Sequence, residues 1–275
     1  MASTPSGIEF DFEHMTHEQL VARLRQLRVR ALHELDLARR VQGRLIARPQ
    51  ANEHLAVAVE YIPFGGLSGD CVGIHEDDPL NWDVSVFDVS GHGVAAAILA
   101  SAVSLEYHRL LADWLEPAEV LRRLDRLIAE QFGELGMFLT ISLCHFHLDE
   151  GVCRYAGGGH PPALLVPAAG GAIRELASQN PVLGMAEAIG ETFGQDEVPI
   201  GPGDLLVQYT DGVTEAMNAD GELFGDQRLA DLAASLRGAA AAVVAKRIRR
   251  AVEQFSAGKV RDDVAIAVAE VRAGA

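Results

Sequence analysis

Cysteine, positive charge and long uncharged runs are all scarce in this sequence of 275 residues. The three cysteines are Cys71, Cys144 and Cys153, and they form neither a CxxC pair nor a Cys/His spacing of the kind that binds zinc. An odd number of cysteines without such spacing argues against a disulfide framework and is typical of buried free thiols in a reducing compartment. We therefore expect a cytoplasmic protein.

The shortage of positive charge limits the partners that the chain can bind. There are 23 Lys and Arg residues against 39 Asp and Glu residues, which gives a formal net charge of -16. Nonspecific binding to nucleic acid depends on basic patches, so we expect no nucleic-acid partner. The acidic N-terminus lacks the layout of a signal peptide, and no uncharged run approaches the roughly 20 residues of a membrane span. We expect no association with a membrane.

The residues that are abundant predict a well-packed globular protein. Apolar residues make up 49% of the chain and charged residues 23%, which is close to the usual composition of folded domains. A chain of this length accommodates one sizeable domain with an appendage, or two small domains.

The N-terminal part predicts one long helix, because from His17 onward there is no Gly before Gly43 and no Pro before Pro49. Its apolar positions alternate by four and three, with Glu34 as the single polar interruption. These positions are Leu20, Leu24, Leu27, Ala31, Ala38, Val41 and Leu45. The pattern favours equally a coiled-coil seam, which would make a homodimer, and an amphipathic helix packed on its own domain.

The rest of the chain alternates between strand and helix patterns. Strands are predicted at 55–63, 70–76, 82–90, 138–149, 152–159, 162–168, 172–177, 204–212 and 262–271, and helices at 92–112, 117–132, 226–236 and 239–256. The first three strands are expected to form an antiparallel meander. The order predicts an α+β protein with packed sheets inside and helices outside. We divide the chain into a flexible N-terminus at 1–16, a helical linker or coiled-coil segment at 17–50, and one domain at 51–275.

Four aspartates lie at or next to the ends of predicted strands. They are Asp70, Asp88, Asp211 and Asp262. Each taken alone is well explained as a turn or strand-end residue, but carboxylates that converge repel one another unless cations neutralise them. Oxygen ligands without a His partner favour Mg²⁺ or Mn²⁺ over Zn²⁺. Spacing alone leaves these two explanations nearly even.

Several longer blocks resemble a known family. In order they read "GGLSGD", "FDVSGHGVAAAI", "YAGGGHPPALL", "NPVLG", "YTDGVTEA" and "RDDVAIAV". They resemble the signature blocks of the SpoIIE/RsbU-type branch of the metal-dependent (type 2C, PPM) Ser/Thr phosphatases, from about Leu55 to Val271. The resemblance implies an α-β-β-α sandwich of two antiparallel sheets flanked by helix pairs, here preceded by an N-terminal helix.

The resemblance also implies a site with two Mn²⁺ or Mg²⁺ ions. Asp88 would bridge the ions, Asp211 and Asp262 would complete the protein ligands of one, and Asp70 and the carbonyl of Val89 would hold the other. Asp88 and Asp211 are the residues expected to be indispensable for catalysis. The implied reaction is hydrolysis by a water whose pKa the metals lower. The sequence departs from the family where Val89 replaces a glycine, which leaves a carbonyl available.

The implied substrate is a protein phosphorylated on Ser or Thr, typically a STAS-type anti-sigma-factor antagonist in a bacterial partner-switching pathway. The alternative is an inactive regulatory module of the same fold that binds such a partner. Four costly clustered acids favour the enzyme. Two further residues are given structural roles: His160 is expected to organise the turn in "GGGHPP", and Asp263 to support the site from the opposite face of its strand.

Overall fold

The computed structural model describes residues 15–113, 115–185 and 192–274. Most of the expected flexible N-terminus at 1–16 lies outside these residues. The first element is helix α1 (His17–Gln42), which begins with a capping box. The Thr16 hydroxyl accepts from the Gln19 N–H at 3.3 Å, and the Gln19 side chain accepts from the Thr16 N–H at 2.9 Å. This reciprocal pair satisfies amides that have no partner inside the helix. The expected N-terminal helix is therefore present.

Two antiparallel sheets follow. The first sheet contains, in spatial order, β1 (Gln50–Ala51), β2 (Leu55–Ile62), β11 (Val264–Val271), β10 (Leu205–Tyr209), β7 (Ala163–Val166) and β8 (Arg174–Leu176). The second sheet contains β3 (Cys71–Asp78), β4 (Asn81–Val89), β5 (Leu139–His147), β6 (Val152–Gly158) and β9 (Asp196–Pro199). The predicted sandwich of two antiparallel sheets is confirmed.

The predicted meander of the first three strands is wrong. β3 and β4 do form a hairpin, but β2 lies in the other sheet and pairs with β11 along its whole length. The segment between β2 and β3 crosses from one sheet to the other. Alternation of apolar residues predicts that a strand has a buried face, but it does not say which sheet the strand joins.

Helix pairs cover the outer faces. α2 (Val94–Leu111) and α3 (Pro117–Phe132) pack on the second sheet, and α4 (Gly225–Ser235) and α5 (Ala241–Phe255) pack on the first. A third apolar core lies between the sheets and includes Trp82, Phe146 and Leu206. The three apolar layers bury most of each strand, and the four aspartates lie at or next to strand ends.

Helix α2 is the one described helix with the length and apolar composition of a membrane span. Half of its residues are buried in the domain, including Leu99, Val103 and Tyr107. Burial against a sheet and a neighbouring helix accounts for this composition, because a core helix is apolar on the sides that it buries.

Candidate metal centre

The four strand-end aspartates come from four strands and both sheets. Asp70 immediately precedes β3 and Asp88 is the penultimate residue of β4, in the second sheet. Asp211 follows β10 by two residues and Asp262 precedes β11 by two, in the first sheet. β10 and β11 are hydrogen-bonded neighbours, as are β3 and β4. The sandwich therefore brings two pairs of acids to one end of the molecule.

The carboxyl groups of Asp70 and Asp88 hydrogen-bond to each other. Burial and then repulsion by Asp88 raise the pKa of Asp70 well above its usual value. Burial, together with repulsion by Asp211 and Asp262, raises the pKa of Asp88 to about 7. Two neighbouring carboxyl groups that share a proton avoid the repulsion between two full negative charges.

Thr210 fixes the buried member of this pair from the opposite sheet. Its hydroxyl donates to Asp70 Oδ2 at 2.7 Å and accepts from the Ala265 N–H at 3.0 Å. Asp70 also has its backbone N–H held by the Ser68 hydroxyl at 2.9 Å. The orientation of the Asp70 carboxylate is thus set by contacts with β10 and with its own turn.

Gly69 allows the turn before β3 to approach the end of β4 closely. A Cβ atom at this position would lie 2.7 Å from the Val89 carbonyl oxygen and 3.2 Å from Asp88 Oδ1. Only glycine leaves these two oxygens unobstructed, so the turn before β3 and the end of β4 form one oxygen-lined recess. After β4, Gly91 and Gly93 have φ of 89° and 82°, in the left-handed region that favours glycine.

Asp263 lies beside the cluster as a support. It is buried, and its Oδ1 accepts from the Phe64 N–H at 2.7 Å. The Ser68 hydroxyl also hydrogen-bonds to this carboxylate, which burial gives a raised pKa. Asp263 therefore joins the turn before β3 to the start of β11, which agrees with the supporting role expected from its sequence position.

The two remaining acids stand nearer to solvent. Asp211 is half-buried, and burial followed by repulsion from Glu215 and Asp262 raises its pKa. Asp262 is exposed, and its Oδ1 accepts from the Asp263 N–H at 2.8 Å. In the part of the chain that the structure describes, no three Asp, Glu, His or Cys side chains already surround one point as ligands.

The residues nevertheless suit a hard divalent cation. The donors are carboxylate and carbonyl oxygens, which Mg²⁺ and Mn²⁺ prefer. The proton shared by Asp70 and Asp88 neutralises the same charge that a cation would neutralise, and the recess at Gly69 leaves the Val89 carbonyl accessible. The assignment of Asp70, Asp88, Val89, Asp211 and Asp262 as metal ligands stays a prediction.

Sequence reasoning missed two contributors to this site. Thr210 and Gly69 carry no charge, and their importance comes from contacts across the sandwich and across the turn. Both lie inside the blocks "YTDGVTEA" and "GGLSGD", which is the only signal in the sequence that marks them. His92, which follows β4, is exposed and lies close enough to Asp263 to act on it electrostatically.

The fold and its acids define a class of protein. Solved structures with this architecture include the SiaA-PP2C domain of Pseudomonas aeruginosa, with a TM-score of 0.78 and 19% identity, over 89% of this chain and 98% of that one. At this identity the similarity shows the fold, which is that of PP2C-type phosphatase domains.

The chain belongs to the SpoIIE family: the family model described as Stage II sporulation protein E matches residues 78–272. The match includes Asp88, Asp211 and Asp262, and Asp70 lies just before it. Relatives in Bacillus subtilis are the phosphoserine phosphatase RsbP, 27% identical over 69% of this chain and 47% of that protein, and the phosphoserine phosphatase RsbU, 28% identical over 73% and 59%. The chain thus spans about half the length of these relatives.

The raised pKa values predict how the stability of the metal-free protein depends on pH. The folded state holds protons on Asp70 and Asp88 that the unfolded state releases at a pH of about 4. The free energy of unfolding should therefore fall as pH rises from about 4 through 7, by at most about 1.4 kcal/mol per pH unit for each proton. Urea unfolding in EDTA between pH 5 and 8 measures this, and Asp88→Asn should flatten the fall. A profile that rises over this range in the parent protein contradicts the shared proton.

Proposed function

We propose that this chain is a metal-dependent phosphatase that hydrolyses phosphoserine or phosphothreonine on a protein. The observation that carries the proposal is the pair of Asp70, which is buried, and Asp88, which is half-buried, with carboxyl groups that hydrogen-bond to each other where two further acids converge. A cluster of this kind destabilises a protein unless it binds something positive. Membership of the SpoIIE family and relatives named phosphoserine phosphatases support the same activity.

The proposed roles follow from the positions of the oxygens. Asp88 lies on the face of β4 that is turned toward the first sheet and would bridge two Mn²⁺ or Mg²⁺ ions. Asp70 and the Val89 carbonyl would hold one ion, and Asp211 and Asp262 would hold the other. When bound, such ions supply an activated water and neutralise the charge of the phosphoryl group. Thr210 keeps Asp70 oriented, and Gly69 keeps the recess open.

The proposed substrate is a phosphorylated STAS-type protein of a partner-switching pathway in the cytoplasm. It rests on the resemblance to the SpoIIE/RsbU branch and on the relatives RsbP and RsbU. An inactive module of the same fold is the alternative, and it gives no reason to retain four acids at one end of the sandwich.

The direct test is hydrolysis of p-nitrophenyl phosphate by the purified chain with added Mn²⁺. We expect turnover that rises from mildly acidic to mildly alkaline pH, because the attacking water must lose a proton. EDTA should abolish turnover, and added Mn²⁺ should restore it. Alkylation of cysteine should leave turnover unchanged, since all three thiols are buried and none lies in the acid cluster. Full activity in EDTA would exclude the metal mechanism, and Mn²⁺ binding without turnover would favour the inactive module.

Helix α1 is proposed to control this site. Its last residue, Gln42, is buried and clamps Ser68: Gln42 Nε2 donates to the Ser68 carbonyl at 2.6 Å, and the Ser68 N–H donates to Gln42 Oε1 at 3.1 Å. Arg39 donates to the Gly66 carbonyl at 3.0 Å. These contacts lie in the turn that leads to Asp70, so a movement of α1 reaches the proposed metal ligands. We therefore keep 17–50 as a linker segment and 51–275 as the phosphatase domain.

The seam of α1 is proposed to pair with a second copy. The helix has 26 residues and a length of about 39 Å, and the seam residues Leu24 and Val41 are both more than half exposed. We predict that Leu24→Glu with Leu27→Glu converts a dimer to a monomer and alters turnover of a protein substrate, with nearly unchanged Mn²⁺ affinity.

Sedimentation of the double variant and of the parent at tens of micromolar, a range chosen for weak coiled-coil pairing, measures the change. Arg25→Glu with Arg28→Glu is the control, because it introduces two glutamates at exposed positions outside the seam and changes the net charge even more than the double leucine variant does. A parent protein that sediments as a monomer would rule out the dimer.

A further inference from the structure

A polar contact lies between the sheets directly behind the acid cluster. Thr140 of β5 is the cross-strand partner of Asp88, so both side chains point to the same face of the second sheet. The Thr140 hydroxyl lies 2.8 Å from Nδ1 of His160. Most side chains between the sheets are apolar, and the polar contacts that join the sheets include the one from Gln208 Nε2 to the Ser142 hydroxyl at 2.9 Å. A directed contact near the acids restrains the sheets in a way that apolar packing does not.

The backbone of His160 is held independently of its ring. The Ser178 hydroxyl accepts from the His160 N–H at 2.9 Å and donates to the His160 carbonyl at 2.8 Å. The ring itself is buried, and burial lowers its pKa to about 3, so the imidazole is neutral. The sequence predicted that His160 organises the "GGGHPP" turn, but its side chain does not do so. It reaches away from the turn to Thr140.

The second ring nitrogen faces the other sheet. Nε2 is buried and makes no hydrogen bond of standard geometry, and the backbone carbonyl of Tyr209 lies close enough to the ring to act on it. Tyr209 ends β10, one residue before Thr210 and two before Asp211. A neutral ring that carries its proton on Nε2 can accept from Thr140 and point that proton at Tyr209. The ring therefore spans from the strand pair that carries Asp88 to the strand that leads to Asp211.

We infer that His160 and Thr140 are positioning residues, which fix the separation between Asp88 in one sheet and Asp211 in the other. The inference rests on the proposed two-metal function, because that separation matters only if both acids hold ions. Metal ligands must be placed to within about 0.5 Å, and the partners that orient them typically contribute about 10- to 100-fold to affinity or activity. A hydrogen-bonded bridge set one layer behind the ligands meets this need.

The test compares Thr140→Val, which keeps the shape and removes the hydroxyl, with Thr140→Ser, which keeps the hydroxyl. The dissociation constant for Mn²⁺ is measured by calorimetry, beside kcat and KM for p-nitrophenyl phosphate and the melting temperature. We expect Thr140→Val to weaken Mn²⁺ binding about tenfold and to lower kcat by a similar factor with little change in KM. Thr140→Ser should restore Mn²⁺ affinity to within about threefold of the parent.

Ser85→Ala is the matched control. Ser85 is a buried hydroxyl of β4 that lies three residues before Asp88 and faces the helices rather than the other sheet. Its loss should lower the melting temperature and leave Mn²⁺ affinity unchanged, as loss of any merely structural hydroxyl would. His160→Asn, which retains a polar group near the Nδ1 position but cannot reach Tyr209, should weaken Mn²⁺ binding and serves if Thr140→Val does not fold.

The outcomes distinguish a failure of the proposed function from a failure of the positioning role alone. A parent protein that binds no Mn²⁺ overturns the proposed function, and this inference with it. A parent that binds Mn²⁺, with folded Thr140→Val or His160→Asn binding it within twofold, overturns the inference alone. Equal losses of affinity in Ser85→Ala and Thr140→Val also overturn it, because the effect would then follow from general destabilisation.

Discussion

Asp88→Asn is expected to lower phosphatase turnover by at least about a thousandfold, equivalent to about 4 kcal/mol in the activation free energy. The substitution removes the charge at the centre of the acid cluster, where Asp70, Asp211 and Asp262 all act on it. The metal-free variant should at the same time be more stable than the parent, by about 2 kcal/mol at pH 8, because a buried carboxylate with a raised pKa is no longer forced to ionise. Asp211→Asn should have the same two effects, because burial and repulsion by Glu215 and Asp262 raise the pKa of Asp211 as well.

Turnover with saturating Mn²⁺ and urea unfolding in EDTA measure the two effects. Asp220→Asn is the matched control, since Asp220 lies in an exposed turn and is not one of the clustered acids. It should leave both quantities at the parent values. If Asp88→Asn retained near-parental turnover at saturating Mn²⁺, the assignment of Asp88 as the bridging ligand would be wrong.

Gly69→Ala should reduce turnover at least about a hundredfold, because a methyl group here has no room. The added Cβ would lie 2.7 Å from the Val89 carbonyl oxygen, a backbone atom that cannot turn aside as a flexible side chain would. Either the turn before β3 shifts and carries Asp70 with it, or the end of β4 shifts with Asp88. Both movements misplace proposed ligands, and shifts of this size commonly cost two orders of magnitude in rate.

Gly65→Ala is a control within the same turn. A Cβ at Gly65 meets no atom within 4 Å, so this substitution should leave turnover and Mn²⁺ affinity unchanged. The comparison needs p-nitrophenyl phosphate turnover and the Mn²⁺ dissociation constant of both variants. Equal behaviour of the two alanine variants would show that the recess at Gly69 plays no part in the reaction.

Much of the architecture is readable from local patterns. The helix predicted at 117–132 occupies Pro117–Phe132, because Pro117 fits the first helical turn and the following apolar residues repeat at helical spacing. The strand predicted at 55–63 is β2 with one residue fewer. The strands β1 and β9, of two and four residues, were missed because so short a run shows too few alternations to register as a pattern.

The parts that sequence could not supply all depend on contacts between distant segments. β2 pairs with β11, and the alternation of apolar and polar residues in either strand does not identify the other as its partner. Thr210 and Gln42 look unremarkable in the sequence, and His160 was assigned only to its own turn. Each has its main contact with one partner across the molecule, which is Asp70 for Thr210, Ser68 for Gln42 and Thr140 for His160. The four aspartates could be predicted because each adjoins an apolar strand pattern in the sequence, and a carboxylate in such a place is costly to desolvate.

The separation of the acids along the chain has a consequence for how the protein is made. Asp70 and Asp262 are far apart along the sequence, although the fold brings them to the same end of the sandwich. Strand β2 cannot pair until β11 has formed, so the first sheet is completed late. Such long-range pairings form slowly, since the loops that they close are large. A nascent chain that ends before β10 therefore contains Asp70 and Asp88 but neither Asp211 nor Asp262, so its site is incomplete. Divalent cations that bind only the finished arrangement would draw the folding equilibrium toward it, and the nascent protein would be unable to dephosphorylate any partner before its last strand is in place.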